Sequence, residues 1–466
     1  MQFMVLKPLG CKHMVMFLLA KEQRKFSNIF WHLILSSAFK TFIMLNCKAL
    51  LIKSASRCNL NCTYCYMYNT GDLSYKTQPK FISDETVDKI IYRVIEHCRE
   101  HDINNFLFSF HGGEPMLAGI EFHDKFIRKA NDLLLKNNVE PIYSIQSNGT
   151  LISEEWCDFL ENHQVITGVS IDGTKENNDK FRIDHKGKGS YDRIIKGIKT
   201  LVGFSEDSRK RAGILSVINL SDNPLEVYEH FKSLNVPLID FLFPLYNYDN
   251  NPNKDYKQGE TPYADWLLKI FYKWFNDKDF NRPIIRTFSG FIEVVLGGRF
   301  PVDFYGSTQS DLLVIETNGE IEAVDALKIC GHRFTKSGAN VHTHSFDEAL
   351  KTPLASTYHL SHQQLPLKCQ KCDINEICGG GYLPTRYKSS NGFNNETIYC
   401  KDLLKLITTI QNEVINQMPN NLRRNLNLDY LNHNEIVSII DNINSSETEL
   451  NNDLRIALES FKKTNV

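Results

Sequence analysis

Charge of one sign is scarce in this sequence: 53 lysines and arginines stand against 55 aspartates and glutamates, a formal net charge of −2 over 466 residues. Nucleic-acid binders carry a basic balance or stripe, so nucleic acid is not an expected partner. Also missing is a nearly uncharged apolar run of about 20 residues, the length a membrane-crossing helix needs. The nearest approach, residues 28–45, holds His32, two serines and Lys40, so no membrane partner is expected. There is no secretory signal with a clean apolar core and a small-residue cleavage site. Disulfides are therefore not expected, and a cytoplasmic location is. No internal repeat is found.

What is present is an ordinary globular composition, 42% hydrophobic and 23% charged, in a chain long enough for about three domains. The informative count is twelve cysteines. Seven fall into two groups: Cys58, Cys62 and Cys65, then Cys369, Cys372, Cys378 and Cys400. Such grouping suggests metal rather than packing. Cys98 and Cys157 lie in helix-like stretches and are expected in the core, and Cys330 as a small buried thiol. Residues 1–45 read as a dispensable extension, with natural translation expected to begin near Met44.

From Lys48 onward short apolar runs alternate with amphipathic, helix-length ones. Ala49–Ala55, Phe106–Phe110, Pro141–Gln146, Val165–Ile171, Ile214–Ile218 and Ile239–Leu245 are expected strands. Between them stand expected helices such as Asp84–His101, with Ser83 as N-cap, and Gly119–Lys136. Strands alternating with helices mean a parallel sheet with crossover helices, whose chemistry sits at the carboxyl ends of the strands. The expected organisation is a barrel over 46–250, a linker and helical segment over 251–310, a cysteine-bearing unit over 311–405, and a polar helical tail over 406–466.

The first cysteines stand at C-x3-C-x2-C in Ser56-Arg57-Cys58-Asn59-Leu60-Asn61-Cys62-Thr63-Tyr64-Cys65. Three thiolates in one loop can wrap one face of a [4Fe–4S] cluster and leave one iron open, which catalysis at a metal needs. Zinc loops use C-x2-C pairs, and the first spacing here is not theirs. With Tyr64 as its aromatic, this loop resembles the signature of the radical S-adenosylmethionine (radical SAM) superfamily. That resemblance implies an α/β fold, a partial (β/α)6 barrel similar to a TIM barrel. It implies S-adenosylmethionine chelated at the open iron and cleaved to a 5′-deoxyadenosyl radical. It further implies cofactor contacts from Tyr64, from Gly112, Gly113 and Glu114 beside the cofactor's ammonium, and from Ser170 and Arg182 near its ribose and carboxylate.

Cys369, Cys372, Cys378 and Cys400 suffice for a closed four-thiolate site, and spacing alone admits zinc or an iron–sulfur cluster. The region resembles the SPASM domain of radical peptide-modifying enzymes, which carries two auxiliary clusters. Here the ligand positions of the first are Val324 and Tyr382, so one auxiliary [4Fe–4S] cluster is expected, making two in all. Asp325 occupies the place where sulfatase-maturing relatives carry an aspartate resembling a general base. Near a cluster and out of water, its pKa is expected to be raised.

The runs Ile315–Asp325, Cys378–Tyr387 and Asn391–Cys400 resemble the XyeB/FxsB/GrrM group of radical peptide maturases. The implied activity joins an aromatic ring to a nearby β-carbon in a ribosomally made precursor peptide, closing a cyclophane. The implied partners are that peptide and an electron donor such as flavodoxin or ferredoxin. Two other readings are a sulfatase-type or thioether-forming maturase and, outside enzymes, a zinc-binding scaffold.

Overall fold

A computed structural model describes residues 45–252, 260–279, 281–425 and 430–443. The expected extension up to Met44, Cys11 included, lies outside the described residues. The chain alternates as expected: β1 (Ala49–Ala55), α1 (Asp84–Glu100), β2 (Asn105–Gly112), α2 (Ile120–Leu135), β3 (Glu140–Ser147), α3 (Glu154–Asn162), β4 (Ile166–Ser170), α4 (Lys175–Phe181), α5 (Tyr191–Phe204), β5 (Ala212–Val217), α6 (Pro224–Ser233) and β6 (Leu238–Leu242). The strands are buried on both faces and so read as nearly continuous apolar runs. Ser83 caps α1, its side chain accepting from Thr86 N at 3.2 Å. The helix buries Val87, Ile90, Ile91, Val94 and Cys98, the spacing of one helical face.

The sheet runs β7-β6-β5-β4-β3-β2-β1-β8-β9, where β7 is Ile284–Ile285, β8 Leu312–Ile315 and β9 Ile321–Glu322. Every neighbouring pair is parallel except β8 with β9. This is the α/β fold expected. The described part of 251–310 is no bare linker: it supplies β7, α7 (Pro262–Phe275), the helix expected there, and α8 (Arg286–Val295). Trp266, Phe271, Trp274 and Phe288 are buried there in the main core. Nor does position 310 divide two sheets, because β8 pairs with β1 from Ala49↔Leu312 to Ile52↔Ile315. A four-residue strand so soon after a loop is too short for periodicity to reveal.

The cysteine-bearing region adds a satellite core of Val324, Leu327, Leu354, Tyr358, Leu383 and Phe393. The expected cut at 405/406 falls inside α9 (Cys400–Gln417). That helix is not polar all round: it buries Leu403, Leu404, Leu406, Ile407, Ile410 and Val414.

Candidate active site

The carboxyl ends of β1 to β4 open into a cavity of about 1590 Å³. Its wall includes Cys58, Cys62 and Cys65 from the loop after β1, and His111, Gly112 and Gly113 from the end of β2. Ser147 ends β3 and Asn148 follows it, Ser170 ends β4 with Asp172 two residues on, and Arg182 closes α4. All eleven described cysteines are free. Burial first, then the neighbouring charges, push the thiols up, Cys58 to about 12 and Cys65 to about 11. Three neighbouring, half-buried sulfurs in one loop ionise more readily with a cation among them, which suits an iron–sulfur cluster.

Two glycines let backbone approach that loop. Gly112 has φ +128°, and a Cβ there would lie 2.6 Å from the Ala55 carbonyl oxygen. A Cβ on Gly113 would collide with the Arg57 carbonyl and the Tyr68 hydroxyl. The peptides that follow β2 are thus fastened under the cysteine loop, Gly113 N donating to Ala55 O at 3.1 Å and Glu114 N to Arg57 O at 3.0 Å.

Glu114 is placed differently from its expected role. Its buried carboxylate is not in the cavity wall. It accepts from Asn148 N at 2.7 Å, Ser147 Oγ at 2.9 Å and Met116 N at 3.1 Å. It therefore ties the β2 and β3 loops together, and burial lifts its pKa to about 7. The tied Asn148 in turn lies with Nδ2 3.7 Å from Cys58 Sγ.

Tyr64, Asp172 and Arg182 form one buried group. The Tyr64 hydroxyl donates to Asp172, Arg182 NH1 donates to that hydroxyl at 2.8 Å, and Arg182 lies 4.0 Å from Asp172. Arg182 is no surface arginine, and its Nε is buried without a partner. A guanidinium charge in the cavity wall, turned by Tyr64 and Asp172, suits a carboxylate such as that of S-adenosylmethionine. Ser170 Oγ, also in the wall, accepts from Gln146 Nε2 at 2.9 Å.

Asp325, the residue after Val324, reaches the same cavity from the turn after β9. Lys53 of β1, wholly buried, forms an ion pair with it. Tyr66 donates its hydroxyl to Asp325 Oδ2 at 3.0 Å, and His111 Nδ1 lies 3.7 Å away. The expectation of a raised pKa is overturned. Burial opposes the charge, but the Lys53 ammonium and His111 outweigh it and hold the carboxyl well below the usual range. Lys53 itself was absent from the sequence reading, since a single lysine in an apolar strand looks like a strand end. Its only signal was that break in the run.

Cys369, Cys372, Cys378 and Cys400 converge on a second, small pocket with Gly380, Glu396, Thr397 and Leu404. Burial again pushes the thiols up, Cys369 to about 12, so this set too suits a metal cluster. Cys330 is elsewhere, packed against the satellite core near Asn247. Val324 and Tyr382 stand where other ligands were expected to be missing. Tyr382 packs on Phe304 with ring centroids 4.6 Å apart.

One other donor group, His97, His101 and Asp347, has ligand atoms within 4.8 Å of one another. His97 Nε2 accepts from Cys47 N at 2.9 Å, so a neutral His97 carries its proton on Nδ1, toward Asp347. That nitrogen is a donor, and the group is a hydrogen-bonded latch.

Comparison with known proteins agrees with this geometry. The model of the Radical SAM superfamily matches residues 52–230. A cysteine-type anaerobic sulfatase-maturating enzyme of Clostridium novyi is 29% identical, across 76% of this chain and 92% of that one. A serine-type anaerobic sulfatase-maturating enzyme of Bacteroides thetaiotaomicron is 25% identical, across 74% and 84%. The solved structure of native anSMEcpe with bound AdoMet and Kp18Cys peptide superposes with a TM-score of 0.68 at 25% identity, across 79% of this chain and 98% of that one. The chain carries a radical SAM domain and is a radical SAM enzyme. It is similar, beyond that domain, to anaerobic sulfatase-maturating enzymes. No helix among the described residues is long and apolar enough to cross a membrane.

Proposed function

We propose that this enzyme oxidises a side chain of a peptide or protein substrate at its β-carbon, in the manner of a sulfatase-type maturase acting on cysteine or serine. The observation that carries this reading is the ionised Asp325 in the wall of the cavity that also holds the three-cysteine loop. It is supported by similarity to sulfatase-maturating enzymes over three quarters of the chain. Cys58, Cys62 and Cys65 hold the cluster to which S-adenosylmethionine binds. When bound, these groups would supply a radical able to remove a hydrogen atom. Arg182 faces the cofactor's carboxylate with its charge, with Tyr64 and Asp172 fixing the guanidinium. Gly112 and Gly113 admit the cofactor close to backbone, and Ser170 lines its path. Glu114 acts one layer back by holding Asn148 against Cys58.

Oxidation at a β-carbon releases a proton as well as electrons. Asp325 lines the cavity and is ionised at neutral pH; because its pairing with Lys53 makes it a weak base, it takes the proton only where substrate loosens that pairing. Lys53 and Tyr66 hold it in place. Cys369, Cys372, Cys378 and Cys400 hold one auxiliary [4Fe–4S] cluster, suited to taking the electron. The reducing equivalents come from a cytoplasmic flavodoxin or ferredoxin.

A second reading, closure of a cyclophane in a precursor peptide, is favoured by Val324 and Tyr382, which leave the described residues without the ligands of a first auxiliary cluster. Both readings share the same hydrogen abstraction and separate on product. Reconstituted, reduced enzyme is incubated with S-adenosylmethionine and a cysteine-containing sulfatase peptide, or with an aromatic-rich peptide encoded beside its gene. An aldehyde in place of the thiol supports the first reading. Loss of two hydrogens with an intact backbone supports the second. Failure to form 5′-deoxyadenosine under either condition overturns both.

A further inference from the structure

Five lysines and arginines among the described residues are buried: Lys53, Arg182, Arg286, Lys328 and Arg386. Lys53 pairs with Asp325, Arg182 lies near Asp172, Arg286 pairs with Asp240, and Lys328 lies between Glu316 and Glu322. Arg386 has no carboxylate. Its guanidinium is 1% exposed, and it donates only to backbone carbonyls: NH1 to Ser361 O at 2.9 Å, NH2 to Phe393 O at 3.1 Å and Gln364 O at 3.4 Å, and Nε to Asn395 O at 3.2 Å. Burying a cation without a counter-charge costs several kcal/mol. Carbonyl dipoles return part of that cost but carry no net charge.

The missing counter-charge lies next door. Gly380 lines the pocket of the four cysteines, and a Cβ built on it would sit 3.4 Å from Arg386 NH1. The guanidinium is thus behind the Gly380 backbone, one layer from the thiols and not itself in the pocket wall. The acidic and basic groups that do line the pocket, Glu396 and Lys368, pair with each other at 3.3 Å and cancel. Burial works against the charge on Arg386, while Cys369 and Cys378 as thiolates favour it. Four thiolates around a [4Fe–4S]²⁺ core leave a net charge of −2, and one added electron makes it −3, so a fixed positive charge nearby favours the reduced state.

We propose that Arg386 is the positioning charge of the auxiliary cluster, a buried cation that acts through space to raise the reduction potential of the group held by Cys369, Cys372, Cys378 and Cys400. The inference rests on reading those four cysteines as a cluster site. It adds that the site is poised to accept an electron.

The test uses the full chain carrying Cys58→Ala, Cys62→Ala and Cys65→Ala, so that only the auxiliary cluster remains. Arg386→Gln and Arg386→Lys are added separately, each protein is reconstituted anaerobically, and iron is counted before a redox titration followed by electron paramagnetic resonance. The expected result is full iron in both, a clearly more negative midpoint in Arg386→Gln, and a midpoint near the parent's in Arg386→Lys. An unchanged midpoint in Arg386→Gln overturns the proposal. So does an equal displacement in both variants, or loss of iron from both, since each marks Arg386 as a hub for carbonyls alone. A parent triple variant without iron removes the cluster reading as well, and is told apart because it fails before Arg386 is touched.

Discussion

Lys53 and Asp325 are 272 residues apart in the chain and meet as a buried ion pair beside the cysteine loop. Removing one partner leaves the other charge stranded, which typically costs 3–5 kcal/mol. Lys53→Met and Asp325→Leu are each expected to lower the unfolding free energy by about that much, and the double variant to recover much of it. Denaturant melts of the three proteins check this. Losses that add would show the pair to be uncoupled.

Asp325→Asn keeps size and polarity and removes the proton acceptor. Product formation should fall by about 10²-fold at most, the low end for a general base, because the ion pair with Lys53 weakens this one. Cleavage of S-adenosylmethionine should continue, seen as 5′-deoxyadenosine released without product. Turnover at the parent rate would take Asp325 out of the chemistry.

Iron content separates the two cysteine sets. The parent should hold about eight irons, and either Cys58→Ala/Cys62→Ala/Cys65→Ala or Cys369→Ala/Cys372→Ala about four. Only the first variant should lose all cleavage of S-adenosylmethionine. Stoichiometric zinc in the parent would return the second set to a structural role.

Gly113→Ala places a methyl group against the Arg57 carbonyl and the Tyr68 hydroxyl, in the backbone that leads into Cys58. Either the cysteine loop or the end of β2 must shift. Weakened S-adenosylmethionine binding and substoichiometric iron at the first site are expected, with the auxiliary cluster intact by its spectrum.

His123 is buried and His111 half-buried beside Lys53; burial lowers both, with the Lys53 charge adding at His111, from an ordinary value near 6.5 to about 4. The unfolded chain binds these protons at higher pH than the folded one. Stability is therefore fully present above about pH 6.5 and is lost as pH falls toward 4, by up to about 3 kcal/mol for each group. In melts across that window, His123→Phe should flatten the slope.

The fold was legible because its strands are buried on both faces and its helices carry capping residues and one apolar stripe. Ala49–Ala55 was bounded to the residue. The cysteines were legible as two groups because each stands close in sequence, and each group lines one pocket. What stayed hidden was long-range: the parallel pairing of β8 with β1, the ion pair from Lys53 to Asp325 and the inward turn of Glu114. Each depends on a partner distant in the chain, and no local periodicity encodes it. The sign of the Asp325 shift was misjudged for the same reason, since the cation that sets it lies on another strand.

The pairing of β8 with β1 also bears on how this chain can be divided. Without residues beyond 310, β1 would present unsatisfied amide and carbonyl groups along Ala49–Ile52, flanked by apolar side chains. Bare margins of that kind recruit other strands and drive aggregation. A protein trimmed to its first six strands would therefore be sticky rather than a smaller working enzyme, and the late cysteines travel with the strand that seals it.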